Sequence, residues 1–122
     1  MDLAINGGNP FRSKKLQYGK QTIDESDKQA VMQVLDENTY LTTGPKVNEF
    51  EEKGSVSVGV NYGVAVNSGT AALHCAMFAA GISVNDEVIV PSISFVASAN
   101  CVLYMGGKPV FCDVCSETLN ID

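Results

Sequence analysis

Gly63-Val64-Ala65-Val66-Asn67-Ser68-Gly69-Thr70-Ala71-Ala72-Leu73-His74-Cys75-Ala76-Met77-Phe78-Ala79-Ala80-Gly81 decides how the rest of the chain reads. Its first five residues are an apolar run of strand length, bounded by turn formers. Ser68-Gly69-Thr70 turns the chain, and the alanine-rich stretch behind it favours a helix up to a closing glycine, Gly81. A strand passing directly into a helix is half of a βαβ unit, and the residues downstream complete it. Glu87-Val88-Ile89-Val90 reads as a second strand ending at Pro91, Phe95 to Met105 as another helix closed by Gly106-Gly107, and Pro109 to Asp113 as a third strand. Such alternation predicts an α/β fold with a partial parallel sheet and right-handed crossovers. The strands are apolar without alternation, which predicts burial on both faces between helix layers.

Upstream the pattern changes. Residues 6–20 are rich in glycine, proline and basic residues without a period, so residues 1–23 are expected to form an arm lying on a surface. From Asp24 onward, 24–122, a single incomplete domain is expected. Asp24 and Asp27 supply a cap and a first-turn acid, and Ala30, Val31, Val34 and Leu35 recur at helical spacing up to Asn38. After the loop Thr39 to Gly44, Pro45 opens a second helix carrying Val47 and Phe50, which Gly54 weakens near its end. Val58 to Tyr62 is left as a connector.

With 122 residues, 45% hydrophobic and 18% charged, the chain suits one soluble domain. The net charge of -6 repels polyphosphate, and Arg12, Lys14 and Lys15 make too small a basic cluster for a nucleic-acid footprint. The amino terminus has no basic segment followed by an apolar one, and no apolar run is long enough to cross a bilayer, so a cytoplasmic protein is expected. Of four cysteines only Cys112 and Cys115 have C-x-x-C spacing, without a second pair or nearby histidine to complete a metal site.

The turn at Ser68 to Thr70 is where chemistry concentrates. The first amides of a helix have no internal partner and favour an anion; Gly69 lets the backbone approach it and Thr70 adds a hydroxyl. A phosphate fits, although Ser68 as a plain helix cap and Gly69 as a tight turn would satisfy any α/β protein. Neither a P-loop nor a G-x-G-x-x-G pattern is present, which disfavours nucleotide cofactors. Phe95, after the next strand, lies at the same expected edge of the sheet, where it either stacks on a planar ligand or opens the helix as a core residue.

These motifs, in order and spacing, resemble the DegT/StrS-type family of pyridoxal-phosphate (PLP) dependent sugar aminotransferases. The resemblance runs through Leu3-Ala4-Ile5-Asn6-Gly7-Gly8 with Pro10, Tyr18-Gly19-Lys20-Gln21-Thr22-Ile23, Leu41-Thr42-Thr43-Gly44-Pro45 and Phe50-Glu51-Glu52. It continues through Ala65 to Leu73, Asp86 to Pro91 and Pro109-Val110-Phe111 with Asp113. It implies the aspartate-aminotransferase-type (fold type I) large domain, a homodimer, and transfer of an amino group, commonly from glutamate, to the keto carbon of a nucleotide-linked deoxysugar. On this resemblance Gly69 and Thr70 hold the PLP phosphate and Phe95 stacks on its ring. Tyr18, with Tyr40 and Thr42 in the loop 39–43, is similar to segments that meet the sugar-nucleotide substrate or line the dimer's shared cleft. The wording around Tyr18 and Ser94 to Tyr104 looks most like members that aminate C4 of a UDP-linked 4-keto-6-deoxy-N-acetylhexosamine.

PLP chemistry also needs a lysine amine to bond the cofactor and shuttle the proton, and an acid beside the pyridine nitrogen. In the family both lie beyond Asp122. Lys108, the one lysine after the phosphate turn, is expected to be a solvated turn charge, so the chain alone is expected to be inactive, with no catalytic residue of its own. Asp113 matches a peripheral position, and His74 lacks a carboxylate or nucleophile motif. Gly54-Ser55-Val56-Ser57, where the family has a helical run with aromatics, and Cys115, in place of an acid, depart from the pattern. The alternative is a truncated, non-catalytic paralogue that binds a phosphate ligand or pairs with a full-length partner through its open sheet edge.

Overall fold

The structure is a computed structural model and describes residues 2–14, 16–37 and 40–122. Lys15 of the basic cluster, Asn38 at the expected helix end and Thr39 of the loop lie outside the described residues. The chain divides into two compact units, Met1–Pro45 and Lys46–Asp122.

In the first unit a 3-10 turn at Ala4–Asn6 is followed by an irregular segment and helix α1, Glu25–Asp36. The start of α1 is set locally, as the acidic pair predicts. Asp24 Oδ1 accepts from Ser26 N at 2.8 Å and Asp27 N at 3.4 Å, while Asp27 Oδ2 accepts from Asp24 N at 2.8 Å. This is a reciprocal capping box built from two aspartates. Ser26 Oγ also donates to Asp24 Oδ1, and the donations from Ser26 and Asp27 hold the Asp24 carboxyl below the ordinary carboxylate range. The cap's contribution is therefore complete above the ordinary aspartate pKa and is lost as the pH falls through the depressed value of the folded helix. Far-UV circular dichroism should show helix lost on acidification and a lower starting helicity in Asp24→Ala; an unchanged acid titration in that variant would remove the cap from the account. No residue of α1 is buried, and its apolar residues Val31, Met32 and Leu35 remain exposed.

The second unit contains α2 (Pro45–Val58, entered from the first unit), α3 (Gly69–Ala79), β1 (Glu87–Pro91), α4 (Ala97–Tyr104) and β2 (Lys108–Cys112). Pro45 opens α2 as expected, and the helix runs through Gly54 to Val58 despite the roughly 1 kcal/mol that glycine costs relative to alanine. β1 and β2 pair in parallel, Glu87 beside Lys108 and Val90 beside Phe111, with α4 as the crossover between them. The core is small. Val90, Cys101 and Val102 are buried, with Met77, Val88 and Ala99 packed against them, so α3, α4 and β1 meet at one point.

Three expectations are corrected. Gly63–Asn67 is not a strand: it joins no ladder among the described residues, and the Ala65 N–H is taken instead by the Glu51 carboxylate at 2.7 Å. A strand exists only where a neighbouring backbone offers the complementary groups, whatever its side-chain pattern. The sheet is also not covered on both faces: Val88 and Val90 point into the core, while Ile89 is 64% exposed. The helix expected from Phe95 begins at Ala97, because Phe95 and Val96 make a tighter i to i+3 turn, with Ser98 N donating to Phe95 O and Ala99 N to Val96 O. Among the described residues no helix is long and apolar enough to cross a membrane.

Candidate functional site

Ser68 sits in extended conformation (φ -164°, ψ 160°) ahead of α3, and its Oγ accepts from Ala71 N at 3.1 Å. The same hydroxyl donates to Asn67 Oδ1 at 3.1 Å, which aims its lone pair at the helix. Ser68 O takes the Ala72 N–H at 3.0 Å, closing the first helical turn. These bonds use the third and fourth amides of the turn and leave those of Gly69 and Thr70 without a partner among the described residues. Capping and anion binding therefore do not compete here: the serine side chain covers the Ala71 amide, and the two amides before it remain open. A Cβ placed at Gly69 would meet nothing within 4 Å, so the space before those amides is open.

Phe95 belongs to the turn after β1, and its ring is 74% exposed rather than sunk in the core. It shares one end of the unit with Gly69 and Thr70, as the packing of the helices shows. α3 and α4 lie against each other. A Cβ at Gly106 would stand 2.9 Å from Val84 Cγ2, and one at Gly107 would stand 3.1 Å from Ile82 Cγ2, so the segments following α3 and α4 are together. Lys108 N donates to Asp86 O at 2.8 Å beside them, which marks the amino edge of the sheet. Both helices thus end at that edge and begin at the other, where Ser92 N donates to Cys112 O across the carboxyl ends of the strands. That is the edge at which open α/β sheets bind ligands.

The remaining candidates make contacts of their own. Lys108 is at the opposite edge, in an exposed ion pair with Glu87 Oε1 at 2.7 Å; this hydrogen bond, with the charge of Glu87, raises its pKa. Asp113 turns its carboxylate back onto the Val114 N–H at 2.8 Å, and His74 packs its ring on Tyr104 with centroids 5.1 Å apart. Cys112 Sγ lies 3.6 Å from Val90 O, while hydrogen bonding from the Thr118 hydroxyl, then from the Thr118 and Glu117 amides, lowers the Cys115 pKa. Tyr18, Tyr40 and Thr42 all belong to the first unit and are exposed. Gly44 explains the shape of the loop that carries Tyr40 and Thr42: a Cβ there would stand 2.6 Å from Tyr40 O, so only glycine lets the chain fold back this tightly before Pro45.

One contact was missed by sequence reasoning, the bond from Ala65 N to Glu51 Oε1 across 14 residues. Phe50-Glu51-Glu52 carries no local sign of it, because an acid on a helix is ordinarily a solvated charge.

The family model for the DegT/DnrJ/EryC1/StrS aminotransferase family matches residues 21–122. The spore coat polysaccharide biosynthesis protein SpsC of Bacillus subtilis is 42% identical over 111 residues, covering 91% of this chain and 28% of that protein. The UDP-4-amino-4-deoxy-L-arabinose–oxoglutarate aminotransferase of Shewanella sediminis is 40% identical over 103 residues, covering 84% of this chain and 26% of that one. Among solved structures, the Streptococcus pneumoniae protein Spr1654, described as a sugar aminotransferase and captured in PMP and PLP forms, superposes with a TM-score of 0.81 at 30% identity, over 89% of this chain. The chain spans 27% of the PMP-form structure and a little over a quarter of the two sequence relatives.

Proposed function

The chain belongs to the DegT/DnrJ/EryC1/StrS aminotransferase family, and from that premise we propose that it is the cofactor-phosphate-binding part of a PLP-dependent aminotransferase acting on a nucleotide-linked keto-deoxysugar. The observation that carries the reading is the pair of unpartnered amides at Gly69 and Thr70, open to solvent at the end of the unit where the Phe95 ring is exposed. Two N–H groups and the Thr70 hydroxyl suit a phosphate dianion, and the positive end of α3 adds to them. Phe95 offers a planar apolar face for the pyridine ring. When bound, PLP supplies the electron sink for moving an amino group between an amino acid and a carbonyl carbon. The residues of this chain anchor and orient it.

The substrate assignment is finer: C4 amination of a UDP-4-keto-6-deoxy-N-acetylhexosamine, with glutamate as donor, in a cytoplasmic homodimer. Its UDP, C4 and glutamate parts are supported by the name of the Shewanella relative, which specifies a UDP-sugar amino group at C4 and oxoglutarate, the keto acid of glutamate. Tyr18, Tyr40 and Thr42 are assigned to the sugar nucleotide, their exposure leaving ring edges and hydroxyls available. An equilibrium-dialysis comparison of PLP with pyridoxal, which lacks only the phosphate, tests the central claim. PLP should be retained at least about tenfold more tightly, the worth of one or two charge-assisted hydrogen bonds; equal retention would contradict it.

A further inference from the structure

We infer that Glu51 is a positioning residue for the phosphate turn, acting through the Ala65 amide. This rests on the phosphate reading of Gly69 and Thr70 and deepens it. The segment Gly63–Asn67 leads directly into the Ser68 cap, yet no strand among the described residues hydrogen-bonds to it. The height and twist of that segment set where the first amides of α3 stand. α2 holds the segment at two points. Glu51 Oε1 accepts from Ala65 N at 2.7 Å, the short distance of a charge-assisted bond. Two residues earlier, the Glu51 carbonyl lies so close to Gly63 that a Cβ there would stand 2.7 Å from it, so the backbones of α2 and the segment are in direct contact. One residue of a regular helix thereby holds the approach through both its backbone and its side chain.

Glu51 is also half-buried and sits in the wall of a shallow hollow lined by Phe50, Gly54, Ser55, Gly63 and Val64, where Ser55 is 8% exposed. Its carboxylate is thus turned inward along the segment, unlike Glu49, which pairs with Lys46 and Lys53 on the surface. Ala65 stands three residues before Ser68, and between them Asn67 receives the Ser68 hydroxyl proton. From Ala65 the backbone runs three residues to Ser68, whose hydroxyl is held by Asn67 and which leads directly into the two open amides.

The test is titration of the full, ¹⁵N-labelled chain with inorganic phosphate, following the Gly69 and Thr70 amide resonances. Glu51→Ala should weaken the phosphate-induced shifts about tenfold in affinity, whereas Glu51→Gln, which keeps a carbonyl acceptor, should stay within about threefold of the unaltered chain. Ala65 amide exchange should accelerate in Glu51→Ala and be largely restored in Glu51→Gln, a rescue that a general loss of helix stability would not produce. Undiminished binding in Glu51→Ala, or equal loss in both variants, would overturn the inference while leaving the phosphate site standing. Absence of any shift in the unaltered chain would instead overturn the phosphate reading and this inference with it.

Discussion

Gly69→Asp is expected to abolish phosphate binding while leaving α3 at least as stable as before. Gly69 is the first residue of the helix, and a Cβ there enters open space. A carboxylate in the first turn faces the positive end of the helix and is ordinarily worth about 0.3–1 kcal/mol of stability. The same carboxylate would occupy the ground in front of the Gly69 and Thr70 amides. Two unit charges 4 Å apart repel by about 4 kcal/mol at an effective dielectric of 20, so affinity for phosphate or PLP should fall by about 100-fold or more. Fold and ligand binding therefore move apart in one variant. Thermal unfolding and the phosphate titration, run on the same sample, read both. If Gly69→Asp still binds phosphate, the anion site is elsewhere.

Val102→Asp should unfold the second unit. Val102 is 0% exposed, lies in the Val90 and Cys101 cluster, and its Cγ1 would be 3.0 Å from a Cβ at Gly107. The cluster holds no counter-charge for a carboxylate, and its one polar side chain, the Cys101 thiol, is already given to Ser98 O at 3.2 Å. Burying one unpaired costs several kcal/mol, a large part of the roughly 5–15 kcal/mol that holds a domain together. Leu103, one position further on and 54% exposed, is the internal control. Leu103→Asp should change stability by about 0.5 kcal/mol or less. Circular dichroism melts should show the cooperative transition lost in the first variant and kept in the second; a Val102→Asp midpoint within a few degrees of the unaltered chain would mean that the core has been misidentified.

The contrast between these neighbours marks how far the amino-acid order could be read. Short-range features were legible because their causes are short-range. Asp24 and Asp27 cap α1 within four residues, Pro45 opens α2, Ser68 caps α3, and the βαβ alternation places β1 and β2 within a residue or two of their observed bounds. Nor did the open amides of Gly69 and Thr70 need a fold to be foreseen, since every helix start leaves such groups and only the first turn decides which are used.

Three-dimensional packing decided the rest. Gly63–Asn67 has the side-chain pattern of a strand but joins no ladder among the described residues, because pairing belongs to two segments and cannot be read from one. The Glu51 to Ala65 bond joins residues 14 apart, and only the lie of α2 along the segment brings them to 2.7 Å. Ile89 and Val90 are equally apolar, yet one is 64% exposed and the other 3%, according to which side of β1 meets α4. Local order thus determined the helix caps, the parallel crossover and the turn whose first amides stay open. Tertiary structure alone determined the bond from Ala65 to Glu51 and which apolar residues are core, because burial and long-range hydrogen bonds depend on surfaces that distant parts of the chain bring together.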